Sequence, residues 1–212
     1  MSIFDILFLV VVLSAAITLV AALIGLLRGR RRSALRALGI LAACLAVYFL
    51  VDIVVTVSSP QRVLRMGQNR CFDEMCFAAT SVKIVPTLGP KGRRVKAAGR
   101  FYLVTIRLSS HARRRPQREL GVMVSLIDSR GQIYGVSSAG RGAFEAASEP
   151  NPPITSLLQP GESLNSVQVF DVPKGASGIA LHVGHSGPGL FIIGDDENPL
   201  HKPTLIRLRV SK

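Results

Sequence analysis

Cys71 and Cys76 are separated by four residues, a spacing that bears on both redox chemistry and metal binding. Catalytic thiol pairs usually have two intervening residues, so this pair does not predict thiol–disulfide exchange. A zinc site needs further ligands, and none of the four histidines falls within this segment. In an oxidising compartment the spacing predicts a local disulfide, with two free thiols as the main alternative.

Serine and histidine come together in the glycine-rich run from Leu181 to Gly189. Its Gly184-His-Ser-Gly-Pro188 segment resembles the turn that presents a nucleophilic serine in hydrolases, but proline replaces the last glycine and no strand-to-helix transition follows. His182 and His185 would face opposite sides of a strand, which is poor geometry for one metal ion. We therefore expect a plain loop here, without a catalytic or metal-binding role.

Acidic and phosphate-binding motifs are weak in this chain. The run from Asp195 to Glu197 offers carboxylates for calcium, but it lacks the spaced pattern of a calcium loop, so we expect a solvated turn. Lys91-Gly92 and its neighbours lack the Gly-Lys-Ser/Thr ending of a phosphate-binding loop. The sequence thus predicts no metal, no cofactor and no enzymatic activity.

Basic residues dominate the charge, which is formally +13, and they fall mainly into two regions. Between Lys83 and Glu119 there are eleven positive residues and one acid. The exposed part of this region is expected in two loops, Lys91–Lys96 and Arg113–Arg118, where Arg113, Arg114 and Arg115 form a triplet. The loops are either simply solvated or in contact with anionic lipid headgroups, an acidic envelope polymer or nucleic acid. No aromatic residues alternate with the arginines, so nucleic acid is the weakest of these readings.

The other basic region separates two apolar runs, Ile3–Leu27 and Ala37–Val57, each long enough to cross a bilayer as a helix. The intervening loop of residues 28–36 contains five arginines: Arg28, Arg30, Arg31, Arg32 and Arg36. Short arginine-rich loops stay in the cytoplasm. Residues 1–57 are therefore predicted to form a transmembrane hairpin in the cell membrane, with both chain termini extracytoplasmic.

Two other interpretations of this N-terminal region carry less weight. A cleaved signal peptide needs a basic start and a short apolar run, whereas here the N-terminal segment carries the acidic Asp5 and the apolar run is longer. Leu41-Ala-Ala-Cys44 resembles a lipoprotein cleavage site, but the apolar run continues well beyond Cys44. Asp52 lies near the outer end of the second run, where we expect interfacial water to reach it.

After residues 58–70, read as a polar linker, residues 71–212 alternate short apolar runs with turn residues. Several short strands at near-regular spacing predict an all-β sandwich. Arg100–Ser109 has apolar residues on both faces, which indicates a central strand. The predicted strands are Phe77–Val85, Arg100–Ser109, Leu120–Ile127, Ile133–Ser137, Ser166–Val172, Gly178–Val183, Leu190–Ile193 and Thr204–Val210.

Five motifs follow one another in this outer domain: Cys71-Phe-Asp-Glu-Met-Cys76, Gly99-Arg-Phe101, Asp128-Ser-Arg-Gly131-Gln-Ile-Tyr134, Leu158-Gln-Pro-Gly-Glu162 and Val169-Phe-Asp-Val-Pro173. Their order resembles the telokin-like extracytoplasmic domain, a bacterial family with an immunoglobulin-like β-sandwich, often found behind a lipoprotein signal or a membrane helix. The resemblance implies that fold and an extracytoplasmic location. The family has no established catalytic residues, so the resemblance implies no active site.

These features together predict a membrane-anchored, non-catalytic binding or interaction module of the cell envelope, whose partners are the bilayer and either anionic headgroups or an envelope protein. The alternatives are a structural subunit of a membrane complex and an envelope hydrolase using Ser186 with His185 or His201. Strand direction further predicts that Arg113–Arg115 lies at the membrane-proximal end of the domain, and that Arg93 and Arg94 lie at the distal end.

Overall fold

The structure is a computed structural model that describes residues 3–147, 150–186, 193, 198 and 200–209. The chain divides into two compact units: one contains residues 1–61 and 187–202, the other residues 62–186 and 203–212. The predicted strand Leu190–Ile193 lies outside the described residues except for Ile193. The acidic run Asp195–Glu197 also lies outside the described residues.

The first unit contains a helical hairpin made of α1, Ile3–Leu27, and α2, Arg31–Ser58. The bounds of α1 are as predicted, but α2 begins at Arg31 instead of Ala37, so the predicted loop of residues 28–36 is too long. Only residues 28–30 form the turn, where Gly29 has a φ of 73°. Arginine, alanine and leucine favour helix, which explains why α2 extends through the basic segment.

Both hairpin helices are long and apolar enough to cross a membrane. Small residues allow them to approach closely, since a Cβ on Gly25 would lie only 3.5 Å from that of Ala34. Ala22 and Ala34 are buried, whereas most larger apolar side chains of both helices are exposed. An exposed apolar surface of this kind suits lipid rather than water.

The described part of the second unit forms two β-sheets. In one, the strand order is β1 (Val63–Arg65), β9 (Leu205–Arg207), β8 (Ala180–His185), β5 (Val122–Ile127) and β6 (Ile133–Tyr134). In the other it is β2 (Arg70–Phe72), β3 (Met75–Leu88), β4 (Val95–Ser110) and β7 (Ser163–Val172). Neighbouring strands are antiparallel except for β1 and β9, which are parallel.

One shared core holds the two sheets together as a sandwich. Each sheet contributes fully buried side chains: Phe77, Val104 and Phe170 from one, and Leu126, Leu181 and Ile206 from the other. Burying one such side chain contributes about 1.5–3 kcal/mol. β4 lies between β3 and β7, which confirms the prediction of a central strand.

A short helix makes the all-β expectation too simple. α3 spans Ser138–Glu145, and the side chain of Ser137 accepts the backbone N–H of Gly140 at its start. The helix packs on the outer face of the four-stranded sheet, where a Cβ on Gly140 would lie 2.7 Å from Val169 and 2.9 Å from Phe101. This contact explains why β4 needs apolar residues on both faces.

The prediction of a linker at residues 58–70 is wrong for residues 63–65, which form β1. Leu64 is buried in the core, and a three-residue strand is too short to show an alternating pattern. β3 and β4 extend beyond the predicted bounds because the polar Thr87 and Lys96 also pair across the ladder.

The sandwich has two ends that differ in chemistry. At the stem end lie the β2–β3 turn, residues 111–121 and the last residues of β8; at the tip lie the β3–β4 turn, residues 128–131 and the start of β8. β8 runs toward the stem end, so the antiparallel β9 and its parallel neighbour β1 run away from it. The chain therefore enters the sandwich, at residue 62, from the stem side.

Candidate functional site

Cys71 and Cys76 form the predicted disulfide at the stem end, with 2.02 Å between their sulfur atoms. The two residues face each other across the β2–β3 pair; Cys71 is exposed and Cys76 is buried. Nδ1 of His111 lies 3.9 Å from Sγ of Cys76, and the backbone N–H of His111 donates to the carbonyl of Glu74 at 2.7 Å. The disulfide therefore closes a hairpin against which the segment after β4 is fixed.

Glu119 and His185 form a second cluster at this end. Nε2 of His185 lies 2.8 Å from Oε1 of Glu119, which also accepts the backbone N–H of Gly121 at 3.1 Å. The His185 ring lies 5.4 Å from that of Phe72, and the guanidinium of Arg70 lies over Phe72 at 5.0 Å. A Cβ on Gly121 would come within 2.7 Å of the His185 ring, so this close packing requires glycine.

Ser186, the serine of the hydrolase hypothesis, is next to this cluster. Within the described residues its hydroxyl makes no hydrogen bond to a histidine. Its hydroxyl donates to the carbonyl of Gly121 at 3.3 Å, while Nε2 of His185 is taken up by Glu119. A nucleophile needs its base within hydrogen-bond reach to lose its proton. His201, the other proposed base, belongs to the other unit.

Arg113–Arg115 lies on the same stem end and is exposed. With Glu74 and Gln117 these residues line an open groove of about 540 Å³. The amide of Gln117 donates to the carboxylate of Glu74, and the backbone of Gln117 pairs with Leu158 at 2.9 and 2.8 Å. Together with the bond from His111 to Glu74, these contacts fix the loop on both sides of the triplet. The arginines are thus three cations displayed on a well-anchored loop.

The other basic loop lies at the tip. Lys91, Arg93 and Arg94 are exposed in the β3–β4 turn, at the start of β4, while Arg113–Arg115 follows its end. Sixteen residues of strand span up to about 50 Å at about 3.3 Å per residue. The two basic loops therefore lie at opposite ends of the sandwich, as the strand direction predicted.

At the tip, the residues of the Asp128–Tyr134 motif have a structural role. Oδ1 of Asp128 accepts the backbone N–H groups of Arg130 and Gln132, both at 2.9 Å, and Oδ2 accepts the Tyr134 hydroxyl at 3.0 Å. The Gln132 N–H, and then the Arg130 N–H and the Tyr134 hydroxyl, lower the pKa of Asp128 against the opposing effect of burial. Burial, and then the Asp128 carboxylate, raise the pKa of Tyr134. The motif therefore stabilises a turn.

Gly99 and Asp171 lock β4 to β7 near the tip. The Asp171 carboxylate accepts the backbone N–H groups of Ala98 at 2.8 Å and Gly99 at 3.0 Å. A Cβ on Gly99 would lie 2.0 Å from the carbonyl oxygen of Val172, so only glycine fits. Two more motifs that carry the family resemblance, one at Gly99 and one at Asp171, thus have a packing explanation.

In the first unit, Asp52 is only 4 % exposed. Its placement at the membrane interface stays a prediction. Its carboxylate accepts the Thr56 hydroxyl at 3.3 Å and the Asn198 amide at 3.2 Å. A carboxylate buried in an apolar environment is costly unless it is paired, and here partners from α2 and from residue 198 satisfy it. Nothing in the sequence pattern identifies Asn198 as the hydrogen-bond partner of Asp52.

Sequence reasoning also missed Glu74, Gln117 and Glu119 as members of the stem-end clusters. Glu119 and His185 are 66 residues apart, and Glu74 and Gln117 are 43 apart, so no local spacing reveals them. Within the described residues, no group of three or more His, Cys, Asp or Glu side chains could hold a metal ion.

The sequence matches no protein-family profile and no curated protein. A conserved hypothetical protein from Bacillus anthracis has a TM-score of 0.45 at 15% identity, over 68% of this chain and 95% of that chain. An uncharacterized β-sandwich protein from Clostridium difficile 630 scores 0.40 at 11% identity, over 72% and 97%. The secreted protein MPT63 from Mycobacterium tuberculosis scores 0.43 at 12% identity, over 61% and 93%. No functional property transfers from likenesses this weak.

Proposed function

We propose that α1 and α2 cross the cell membrane with their arginine-rich turn in the cytoplasm, so that the sandwich and both termini are extracytoplasmic. The five arginines lie in the turn or in the first two turns of α2, where the preference of short basic segments for the cytoplasm applies. The Cys71–Cys76 disulfide supports the same orientation, because such bonds persist in oxidising compartments.

The sandwich itself is, in this proposal, a telokin-like, immunoglobulin-like domain. Support comes from the positions of its motifs: Gly99 and Asp171 join β4 to β7, and Asp128 and Tyr134 close the turn after β5. Residues that maintain a fold are the ones expected to recur among distant members of a fold family.

The function we propose is non-catalytic binding at the outer face of the cell membrane, with the stem end in contact with anionic lipid headgroups. The observation that carries this proposal is the exposed Arg113–Arg115 triplet on a loop fixed by Glu74 and Gln117. Each arginine near an anionic leaflet contributes about 1 kcal/mol of attraction. An envelope protein with an acidic surface would use the same cations.

Chain length supports the contact between this end and the bilayer. α2 ends at Ser58 and the sandwich begins at residue 62. Four peptide steps span at most about 14 Å. The sandwich enters from its stem side, so this short tether favours the stem end, and not the tip, as the surface nearest the membrane.

Hydrogen exchange on the full chain in nanodiscs tests the proposal. Amides of residues 111–118 should exchange more slowly in anionic than in zwitterionic nanodiscs, and the difference should shrink as salt screens the charges. Replacing Arg113, Arg114 and Arg115 with serine should abolish the difference. The charge-matched change of Lys91, Arg93 and Arg94 to serine should preserve it. Equal losses from both variants, or no lipid dependence in the unmodified chain, would contradict the proposal; stoichiometric co-purification with another membrane protein would favour a structural subunit.

A further inference from the structure

A further cationic site, separate from both basic loops, lies on the edge of the five-stranded sheet. β1 and β9 pair in register, with Arg65 directly beside Arg207. Arg209 follows two residues later, and all three arginines are exposed. They line a groove of about 240 Å³ together with apolar residues of β1 and its turn: Val63, Leu64 and Met66.

Like charges placed side by side on neighbouring strands destabilise a sheet unless something neutralises them. In the described part of the sandwich, no carboxylate makes an ion pair with Arg65, Arg207 or Arg209. The described acids there, apart from Asp73 in the β2–β3 turn, have other partners: Glu74, Glu119, Asp128, Glu145, Glu162 and Asp171. Among the residues that the structure describes, the groove is therefore short of negative charge.

The backbone around this groove also suits an anion better than a peptide strand. The edge N–H of Arg65 is already capped by the side-chain oxygen of Gln68 at 2.6 Å, so an added strand would lose that donor. The backbone N–H of Arg209 points at the thioether of Met66 at 3.1 Å, and thioether sulfur is a weak acceptor. That amide remains able to donate to a stronger acceptor.

We propose that Arg65, Arg207 and Arg209 form a binding site for a phosphate group. Guanidinium groups match phosphate oxygens with paired hydrogen bonds, and the Arg209 amide adds a donor beside them. The apolar floor at Val63 and Leu64 accommodates the organic part of a phosphate ester. This site is distinct from the membrane contact proposed for the stem end.

Titration of the full chain with inorganic phosphate tests the site, using zwitterionic nanodiscs at constant ionic strength. Phosphate should raise the thermal midpoint of the sandwich by mass action. Arg207→Gln and Arg65→Gln should each weaken phosphate binding by roughly tenfold, the loss expected for a charge-assisted hydrogen bond. The control Arg93→Gln makes the same charge change at the tip and should leave binding unchanged.

The thermal midpoint without phosphate gives an independent readout. Arg207→Gln should leave it unchanged or raise it, because the change relieves repulsion from Arg65. A lower midpoint would overturn the proposal, since it would mean that acidic groups of the chain itself neutralise Arg207. Equal phosphate responses in Arg207→Gln and Arg93→Gln, or no response in the unmodified chain, would overturn it as well.

Parallel titrations with glycerol 3-phosphate and dimethyl phosphate identify the source of the phosphate group. Binding of the diester as tightly as inorganic phosphate assigns the site to a phosphodiester, such as a polymer or a lipid headgroup. Binding of inorganic phosphate and the monoester alone assigns it to free phosphate or small phosphate esters.

Discussion

The two ends of the sandwich differ in what their polar residues do. At the tip, the carboxylates of Asp128 and Asp171 accept hydrogen bonds from backbone N–H groups, and Gly99 occupies a position that has no room for a Cβ atom. At the stem end, Arg113–Arg115 is exposed on a braced loop, and the Glu119–His185 pair is partly open to solvent. Three of the five motifs that carry the family resemblance lie at or near the tip, at Gly99, Asp128 and Asp171, while the disulfide and the Leu158–Glu162 motif lie at the stem end with the arginine triplet.

Replacing one glycine at each end should give the largest difference in the free energy of unfolding between the two ends. Gly99→Ala at the tip should lower the free energy of unfolding by about 3 kcal/mol, because the new Cβ meets a backbone carbonyl that cannot move away. Gly121→Ala at the stem end should cost less, about 2 kcal/mol, since the new Cβ meets the His185 side chain, which can shift, and the Ser186 carbonyl oxygen at 2.9 Å. Pulse proteolysis of the full chain in nonionic micelles, over a urea series, measures both. A larger loss for Gly121→Ala would reverse the comparison.

The disulfide is the main covalent constraint of the stem end. Changing Cys71 and Cys76 together to alanine should lower the free energy of unfolding by about 2 kcal/mol, the amount expected for a short closed loop. Reducing the unmodified chain should give the same loss in the same urea series. Cys44→Ala is the matched control and should have no effect, because Cys44 is an exposed free thiol. Full stability after reduction would show that strand pairing alone holds β2 to β3.

Protonation of Asp128 at the tip should contribute to the loss of folding stability at low pH. The folded state lowers the pKa of Asp128, so its contribution is complete above the ordinary carboxyl pKa of about 4 and is lost as pH falls further. Asp128→Asn should therefore reduce the steepness of the loss of stability below pH 4 by up to one proton. Urea midpoints at pH 3 and pH 7 measure this change, with Glu145→Gln as a surface control. Identical acid slopes in both variants would show that other groups control the acid response.

The hairpin was readable from the sequence because each helix has its own long apolar run. Its turn was placed too broadly, since Arg31, Arg32 and Arg36 are compatible with both loop and helix. The main strands were predicted from local alternation, whereas β1 was not, because it has only three residues and a partner far along the chain.

The functional sites show the same difference between features that are local in the sequence and features that depend on distant segments. The disulfide and the arginine triplet are local in sequence, so their residues could be named in advance. The bonds of Glu119 to His185 and of Asn198 to Asp52 depend on how distant segments pair. Arg65 and Arg207 likewise become neighbours only through the parallel pairing of β1 with β9.

We propose that the arginine-rich turn of the hairpin and the sandwich lie on opposite sides of the membrane. In a Cys44→Ala background, a membrane-impermeant maleimide applied to intact spheroplasts should label Arg93→Cys at the tip. The same reagent should leave Arg30→Cys in the hairpin turn unlabelled until the membrane is permeabilised. Labelling of Arg30→Cys in intact spheroplasts, with Arg93→Cys protected, would contradict the proposed topology.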